Sequence, residues 1–315
     1  MKKICIISPV YNEEEGISLF NDTLWQTLNT LKDQYHFEVI YVLDKSRDNT
    51  LGSLKKICKN TPNTKAIALS KRFGHQMSLV AGLDQVDADA VIMMDSDLEH
   101  PPEVIKELLE KFEEGYHVVN TIREYHQKVS FFKRFTSRLF YRVMNYLSPV
   151  EIKESAADFR LISRKVLQVF QRDIREQNQF LRGLIPWVGF EQTFVKFVSN
   201  SRQQGYSKYN LKRLINFAIL GVISFSKVPL KISIFTGFML SIVSFLVGLY
   251  EIVAYFAGVK LQPGLPTILA VVSFVGGMQL IVLGIIGEYI GSIYDEVKKR
   301  PLYIIEEIID AENPS

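Results

Sequence analysis

Hydrophobic and polar positions follow two regimes along this chain. Residues 3–122 carry apolar runs of strand length at 4–10, 37–43, 65–69, 90–94 and 117–122. Between them, around 17–31, 49–59, 75–86 and 101–114, apolar residues recur at helical spacing. Strands alternating with helices predict βαβ units, an α/β fold with a mainly parallel sheet covered on both faces. Ligands of such sheets bind beyond the carboxyl ends of the strands. The polar residues that follow strands therefore carry the interest: Tyr11 to Glu13, Asp44, and Asp95 to Glu99.

The second regime lies toward the C-terminal end. Ile232 to Tyr250 is 19 residues without a charge, or ~28 Å as a helix. Leu261 to Gly287 adds 27 more, after a short hinge with Lys260, Pro263, Gly264 and Pro266. This predicts a transmembrane hairpin within 230–290, with spans near 232–256 and 266–288, followed by a tail at 291–315. A buried soluble helix pair is the other reading, but core helices are rarely uncharged on all faces. Lys227 and Lys231 precede the first span, and Lys298, Lys299 and Arg300 follow the second. Positive charge at both ends orients both termini and the N-terminal bulk toward the cytoplasm, at the cell membrane.

Two further stretches are amphipathic. In 128–150, Lys133, Arg134, Arg138 and Arg142 recur beside Phe131, Phe132, Phe135 and Leu139. Such a helix suits a membrane interface, or lies solvated on the N-terminal domain. In 208–229 the uncharged part, Leu214 to Ser226, is too short to span and reads as an interfacial helix entering the first span. Lys2 and Lys3 before Ile4 to Val10 mimic a signal peptide, but the apolar stretch is short and runs into Asn12, Glu13 and Glu14.

Composition narrows the class. The 315 residues are 47% hydrophobic and 23% charged, which excludes disorder, collagen and a disulfide scaffold. A net charge of +3, without zinc-finger or RRM signatures, argues against a nucleic-acid binder. Two cysteines, Cys5 and Cys58, suit a reducing compartment.

The strongest chemical signal is Asp95-Ser96-Asp97-Leu98-Glu99-His100-Pro101-Pro102-Glu103. An apolar strand delivers its acids to the sheet's carboxyl edge. Carboxylates are hard oxygen ligands suited to Mg²⁺ or Mn²⁺. Such a cation bridges the phosphates of a nucleoside diphosphate and stabilises it as a leaving group. Pro101 and Pro102 start a helix, with Glu103 in its favourable first turn. His100 alone reads as a local hydrogen-bonding residue.

With Ser8-Pro9-Val10-Tyr11-Asn12-Glu13-Glu14, this segment resembles the family 2 glycosyltransferases. The likeness extends through Leu69-Ser70-Lys71-Arg72-Phe73-Gly74, Asp158-Phe159-Arg160-Leu161, Arg182-Gly183-Leu184, Gln204-Gly205-Tyr206-Ser207-Lys208-Tyr209 and Arg300-Pro301-Leu302-Tyr303. The nearest subgroup is the polyprenyl-phosphate glycosyltransferases with two C-terminal spans; the dolichol-phosphate mannose synthases are more distant. The resemblance implies a GT-A-like, Rossmann-related nucleotide-sugar domain formed by 1–127 and 151–207. It implies that Pro9, Tyr11, Glu13 and Asp44 line the nucleotide pocket, and that Asp95 and Asp97 meet the donor's sugar and diphosphate. Asp97 is the implied metal ligand, joined by Glu99, with Mg²⁺ or Mn²⁺ as cofactor. Arg202 and Lys208 close over the diphosphate. Arg123, Lys133, Arg134, Ser137 and Arg160 hold the acceptor's phosphate; for Arg123, Lys133 and Arg134 a plain surface or headgroup contact is the other reading. Asp158 is a base or orienter, or an ion-pair partner for an arginine such as Arg160.

The implied reaction moves one sugar, glucose from UDP-glucose in the leading case, to undecaprenyl phosphate with inversion, in a homotetramer. A phosphate monoester is largely dianionic at neutral pH and needs no strong general base. One departure stands out. The family pattern Asp-Asp-Gly-Ser after the second strand is here Leu43-Asp44-Lys45-Ser46, which leaves the base and sugar of the donor open. Lys45 in that place adds charge near the phosphates. Processive polysaccharide synthases, which carry Gln-x-x-Arg-Trp and more spans, fit less well, because Gly183 follows Arg182 here. A decayed nucleotide-sugar-binding scaffold is the non-enzymatic alternative.

Overall fold

The structure, a computed structural model, describes residues 1–124, 156–198, 226–257 and 264–311. The chain forms two compact units. One comprises Met1–Asn145, Val150–Asn210 and Arg300–Ser315; the other comprises Tyr146–Pro149 and Leu211–Lys299.

The first unit is built on one eight-stranded sheet. Its strands are β1 (Lys2–Val10), β2 (Tyr35–Leu43), β3 (Thr64–Leu69), β4 (Ala90–Met93), β5 (Val118–Glu124), β6 (Ala156–Ser163), β7 (Gln192–Val198) and β8 (Ile305–Ile309). Their order is β7-β5-β6-β4-β1-β2-β3-β8. β6 and β8 run antiparallel to their neighbours, and the other pairings are parallel. The helices are α1 (Ile17–Asn29), α2 (Thr50–Asn60), α3 (His75–Asp84), α4 (Ile105–Glu113), α5 (Arg164–Arg172) and α6 (Leu181–Trp187). A 3₁₀ turn at Pro102–Val104 leads into α4.

The predicted strands thus all form, and the sheet is wider than they are. Ile4, Cys5, Ile6 and Ile7 are fully buried, as a central strand covered on both faces requires. Ile4, Ile6 and Val10 share a core with Ile17, Phe20, Leu24 and Leu28 of α1 and Leu108 of α4. On the other face α3 lies close to the sheet because residue 82 is glycine. A Cβ there would stand 2.5 Å from Ile7 Cγ2 and 3.2 Å from Val42 Cγ2.

The order places β2 and β3 on one side of β1 and β4 on the other. Chain direction across the sheet reverses between β1 and β4, which opens a crevice at their carboxyl ends. This is where the sequence puts Tyr11 and Asp95.

The segment expected as a tail at 291–315 is corrected by its own pairing. Helix continues to Val297, and Ile305–Ile309 adds a strand to the edge of the sheet against β3. Leu302 is buried, and the Tyr303 hydroxyl donates to Asp84 (2.7 Å), which also takes two bonds from Arg175 (2.7 and 2.9 Å). Burial and the Asp84 carboxylate push the Tyr303 pKa up.

The second unit holds α7 (Val228–Phe256) and α8 (Leu265–Val297). Both are long and apolar enough to cross a membrane. Phe235, Phe238, Phe245, Leu280 and Leu283 are exposed along them, a surface that only lipid or protein would cover. The Tyr289 hydroxyl donates to the Ser226 carbonyl (2.6 Å) at the cationic end. The amphipathic stretch expected at 128–150, and that at 208–229 up to residue 225, lie outside the described residues.

Gly82→Ala gains up to about 1 kcal/mol of helix propensity. It loses more, because Ile7 is β-branched, fully buried and has one stiff rotamer to give. A net destabilisation of about 1–3 kcal/mol is expected in denaturant unfolding of the full chain.

Candidate active site

The loops after β1 and β2 are laced together by their own side chains. Asn12, at φ 54, donates its N–H to Ser46 Oγ (3.0 Å) and accepts from the Arg47 N–H (2.9 Å). Thr50 Oγ1 accepts from the Glu13 N–H, and Glu14 accepts from the Asn49 N–H, each at 3.0 Å. The Glu13 carbonyl accepts from the Ile17 N–H (2.9 Å) and starts α1. Held this way, the Tyr11 ring lies under the Arg72 guanidinium, 4.2 Å from its centroid, a cation–π contact.

Asp44 was expected in the nucleotide pocket, but the structure commits its carboxylate to backbone. It is 4% exposed and accepts from the Phe73 N–H (2.7 Å) and the Gly74 N–H (3.0 Å). Asp44 therefore shapes the loop that carries Arg72 and begins α3. Gly74, at φ +94, supplies the turn that a side chain would resist. Leu43, where the family has an acid, packs in the core. Lys45 pairs with Glu306 of β8 (2.7 Å) at the surface.

The β4 loop gathers negative charge. Ser96 Oγ donates to the Pro9 carbonyl (3.2 Å) and ties this loop to β1 across the crevice. Asp97 Oδ1 accepts from the Glu99 N–H (3.1 Å), and Leu98 between them sits at φ 58. Burial, then the charges of Asp95 and Glu99, raise the Asp97 pKa. Glu99 accepts from Arg123 of β5 (2.9 Å), so these two predicted residues face each other. His100 is buried and stacked on Phe159, with centroids 5.2 Å apart. Its Nδ1 accepts from the Asp95 N–H (3.0 Å), and burial lowers its pKa, so the ring is a neutral brace for the loop.

β6 enters antiparallel beside β4 and brings Asp158 to the same edge. Arg182 of α6 grips it with Nε (2.8 Å) and Nη2 (2.9 Å). Arg160 Nη2 stands 3.4 Å away, and so does His75 Nε2. Burial opposes the charge, but Arg182, His75 and Arg160 hold the Asp158 pKa well below the carboxylate range. Asp158 is thus an ion-pair partner of several cations, with Arg182 foremost among them. Arg160, expected at the acceptor phosphate, is 2% exposed and donates to the Ala157 carbonyl (2.9 Å). Burial lowers its pKa to about 10.

Sequence reasoning missed His75 and the role of Arg182. His75 directly follows the Lys71-Arg72-Phe73-Gly74 motif, but nothing in a lone histidine at a helix start marks its partners. Lys133, Arg134, Ser137, Arg202 and Lys208 lie outside the described residues.

Among the described residues, no group of three or more His, Cys, Asp or Glu side chains is placed to hold a metal ion. Mg²⁺ needs less from a protein, often one or two carboxylates with phosphates and water completing the shell. Asp97 fits that demand: its crowded negative charge favours a cation as it favours a proton.

Sheet order and carboxylate loop together define a GT-A-like glycosyltransferase domain. The Glycosyl transferase family 2 model matches residues 5–170, and the chain belongs to that family. An uncharacterized glycosyltransferase of Synechocystis sp. is 39% identical over 97% of this chain and 95% of its own length. The SfII prophage-derived bactoprenol glucosyl transferase of Shigella flexneri is 37% identical over 97% of this chain and 98% of its own. Among solved structures, the mannosyltransferase PcManGT from Pyrobaculum calidifontis shares the fold, with TM-score 0.50 and 15% identity. That match covers 72% of this chain and 65% of the other.

Asp158→Asn leaves Arg160 and Arg182 without their anion, at an expected cost of about 3–5 kcal/mol in chemical denaturation. The folded pKa lies below the unfolded one, so the stabilisation is complete above the unfolded value, about pH 4. It is lost as pH falls through the folded value. Because His75 gains its charge beside Asp158, the gap between wild type and variant should widen as His75 takes up a proton below neutral pH, and narrow only in acid stronger than about pH 5.

Proposed function

We propose that this glycosyltransferase moves a single sugar from a nucleotide sugar, UDP-glucose first among candidates, to a polyprenyl phosphate such as undecaprenyl phosphate. The observation that carries this reading is the pairing, in one chain, of a carboxylate loop at the sheet's switch point with two helices apolar enough to cross a membrane. The 37% identity to a bactoprenol glucosyl transferase across nearly all of both chains supports the acceptor class.

The residues suit such an acceptor. A phosphate monoester is largely dianionic at neutral pH, so attack on the sugar's anomeric carbon needs no proton removed. An Asp158 held as an anion costs such a reaction nothing. Asp97, with Glu99, would hold Mg²⁺ or Mn²⁺, which would neutralise charge on the leaving diphosphate. Asp95 accepts hydroxyls of the donor sugar, Tyr11 and Arg72 flank the base, and Arg123 offers charge to the incoming phosphate. Lys133, Arg134 and Ser137 serve the acceptor, and Arg202 and Lys208 the donor diphosphate. In-line displacement inverts the anomeric carbon, so an α-linked donor gives a β-linked lipid phosphate sugar. The catalytic unit and both termini face the cytoplasm, by the charges that flank the helices. The chain works as a homo-oligomer, a tetramer by family resemblance.

Leu43 in the core favours a second donor reading, because leucine cannot accept a uracil N–H as a carboxylate does. GDP-mannose is the donor this favours; UDP-N-acetylglucosamine, UDP-galactose and UDP-aminoarabinose keep the uracil and differ from UDP-glucose in the sugar alone.

The test is a screen of these nucleotide sugars against undecaprenyl phosphate in membranes containing the full chain, with mass detection of the lipid product. One donor should give product, and chelation or Asp97→Ala should lower transfer by about 100-fold or more. Transfer that survives both sinks the metal assignment. No product from any donor sinks the transferase reading and favours a scaffold.

A further inference from the structure

We propose that His75 is a positioning residue of the transfer site, a cationic bridge that holds Asp95 of the β4 loop and Asp158 of β6 at a fixed spacing. The proposal deepens the reading above, resting on Asp95 meeting the donor sugar.

His75 is the first residue of α3, and its backbone is fixed from two sides. Behind it, Asp44 holds the Phe73 and Gly74 N–H groups. Beside it, Gln76 Oε1 accepts from the Leu181 N–H (3.1 Å), which joins the first turn of α3 to the start of α6. The backbone anchors of α3 therefore tie it to the end of β2 and to the helix that bears Arg182. With that end fixed, the imidazole Nε2 comes to 3.4 Å from Asp158 Oδ2 and 3.7 Å from Asp95 Oδ1.

Two carboxylates on neighbouring strands repel, and Asp95 also adds its charge to that of Asp97. A cation between Asp95 and Asp158 offsets that repulsion and sets their separation. The charged groups facing the ring are Asp95, Asp158 and Arg182. Desolvation and Arg182 oppose a charge on His75, but the hydrogen bond to Asp158 and the two carboxylates outweigh them, and its pKa rises. The side chain is 40% exposed, so it is not core packing whose loss would unfold the domain. Arg182 approaches Asp158 through Nε and Nη2.

The experiment uses the full chain with the donor and lipid acceptor that the screen identifies. His75→Leu should lower kcat about tenfold or more while both KM values stay within about threefold and the melting temperature within a few degrees. His75→Gln, which keeps an N–H donor of similar reach but carries no charge, should recover only part of that loss. A kcat for His75→Leu within about twofold of wild type overturns the proposal, as does a glutamine variant with the full wild-type rate. A second measurement needs no turnover, and so separates failure of this proposal from failure of the transferase reading. In histidine-labelled full chain, the NMR titration midpoint of His75 should lie above the free value of about 6.5 and fall in Asp95→Asn. A midpoint at or below the free value, or one that Asp95→Asn leaves unmoved, overturns the bridge.

Discussion

Three carboxylates within five residues, Asp95, Asp97 and Glu99, stand at the end of one buried strand, and the site is arranged around containing their charge. Burial raises the cost of that charge and each acid raises it for the next, as the upward shift of Asp97 shows. The fold answers with cations from separate elements. Arg123 comes from β5 to Glu99, and His75 from α3 to Asp95. Asp158 adds a fourth acid to the edge, with Arg160 and Arg182 paired to it. Asp97, between them in the chain, feels the charge of both Asp95 and Glu99. Such a loop is costly as a structural element alone and reasonable as a receptor for a divalent cation with two phosphates.

The chemistry follows from that economy. An acceptor that arrives already ionised asks the protein for placement and charge screening rather than for a base. The neutral, buried His100 braces the loop, and the anchored Asp158 keeps its charge. Neither is tuned to exchange protons near neutral pH, and no step of the proposed transfer requires it.

Local pattern in the sequence was enough for the central strands and the acids that follow them. Residues 4–10, 37–43, 65–69 and 90–94 are mostly apolar runs because parallel central strands are buried on both faces. The β4 acids were legible because they follow such a run directly. What escaped was set by distance along the chain. Asp158 and Arg182 are 24 residues apart, and Lys45 and Glu306 are 261 apart. No periodicity links such pairs. β8 is short, carries the adjacent Glu306 and Glu307 on an edge, and follows a long apolar helix, so it reads as tail. The burial of Arg160 was not legible because arginine is mostly exposed, and it is the antiparallel entry of β6 beside β4 that encloses it.

The central claim is that the β4 loop takes a nucleoside diphosphate through a divalent cation held at Asp97. Calorimetric titration of UDP, and of GDP as the alternative base, into the full chain with Mn²⁺ or with chelator tests it most directly. The account predicts binding of one nucleotide that weakens at least about tenfold when the metal is removed, and equally in Asp97→Asn. The same affinity in chelator as in Mn²⁺ would contradict it.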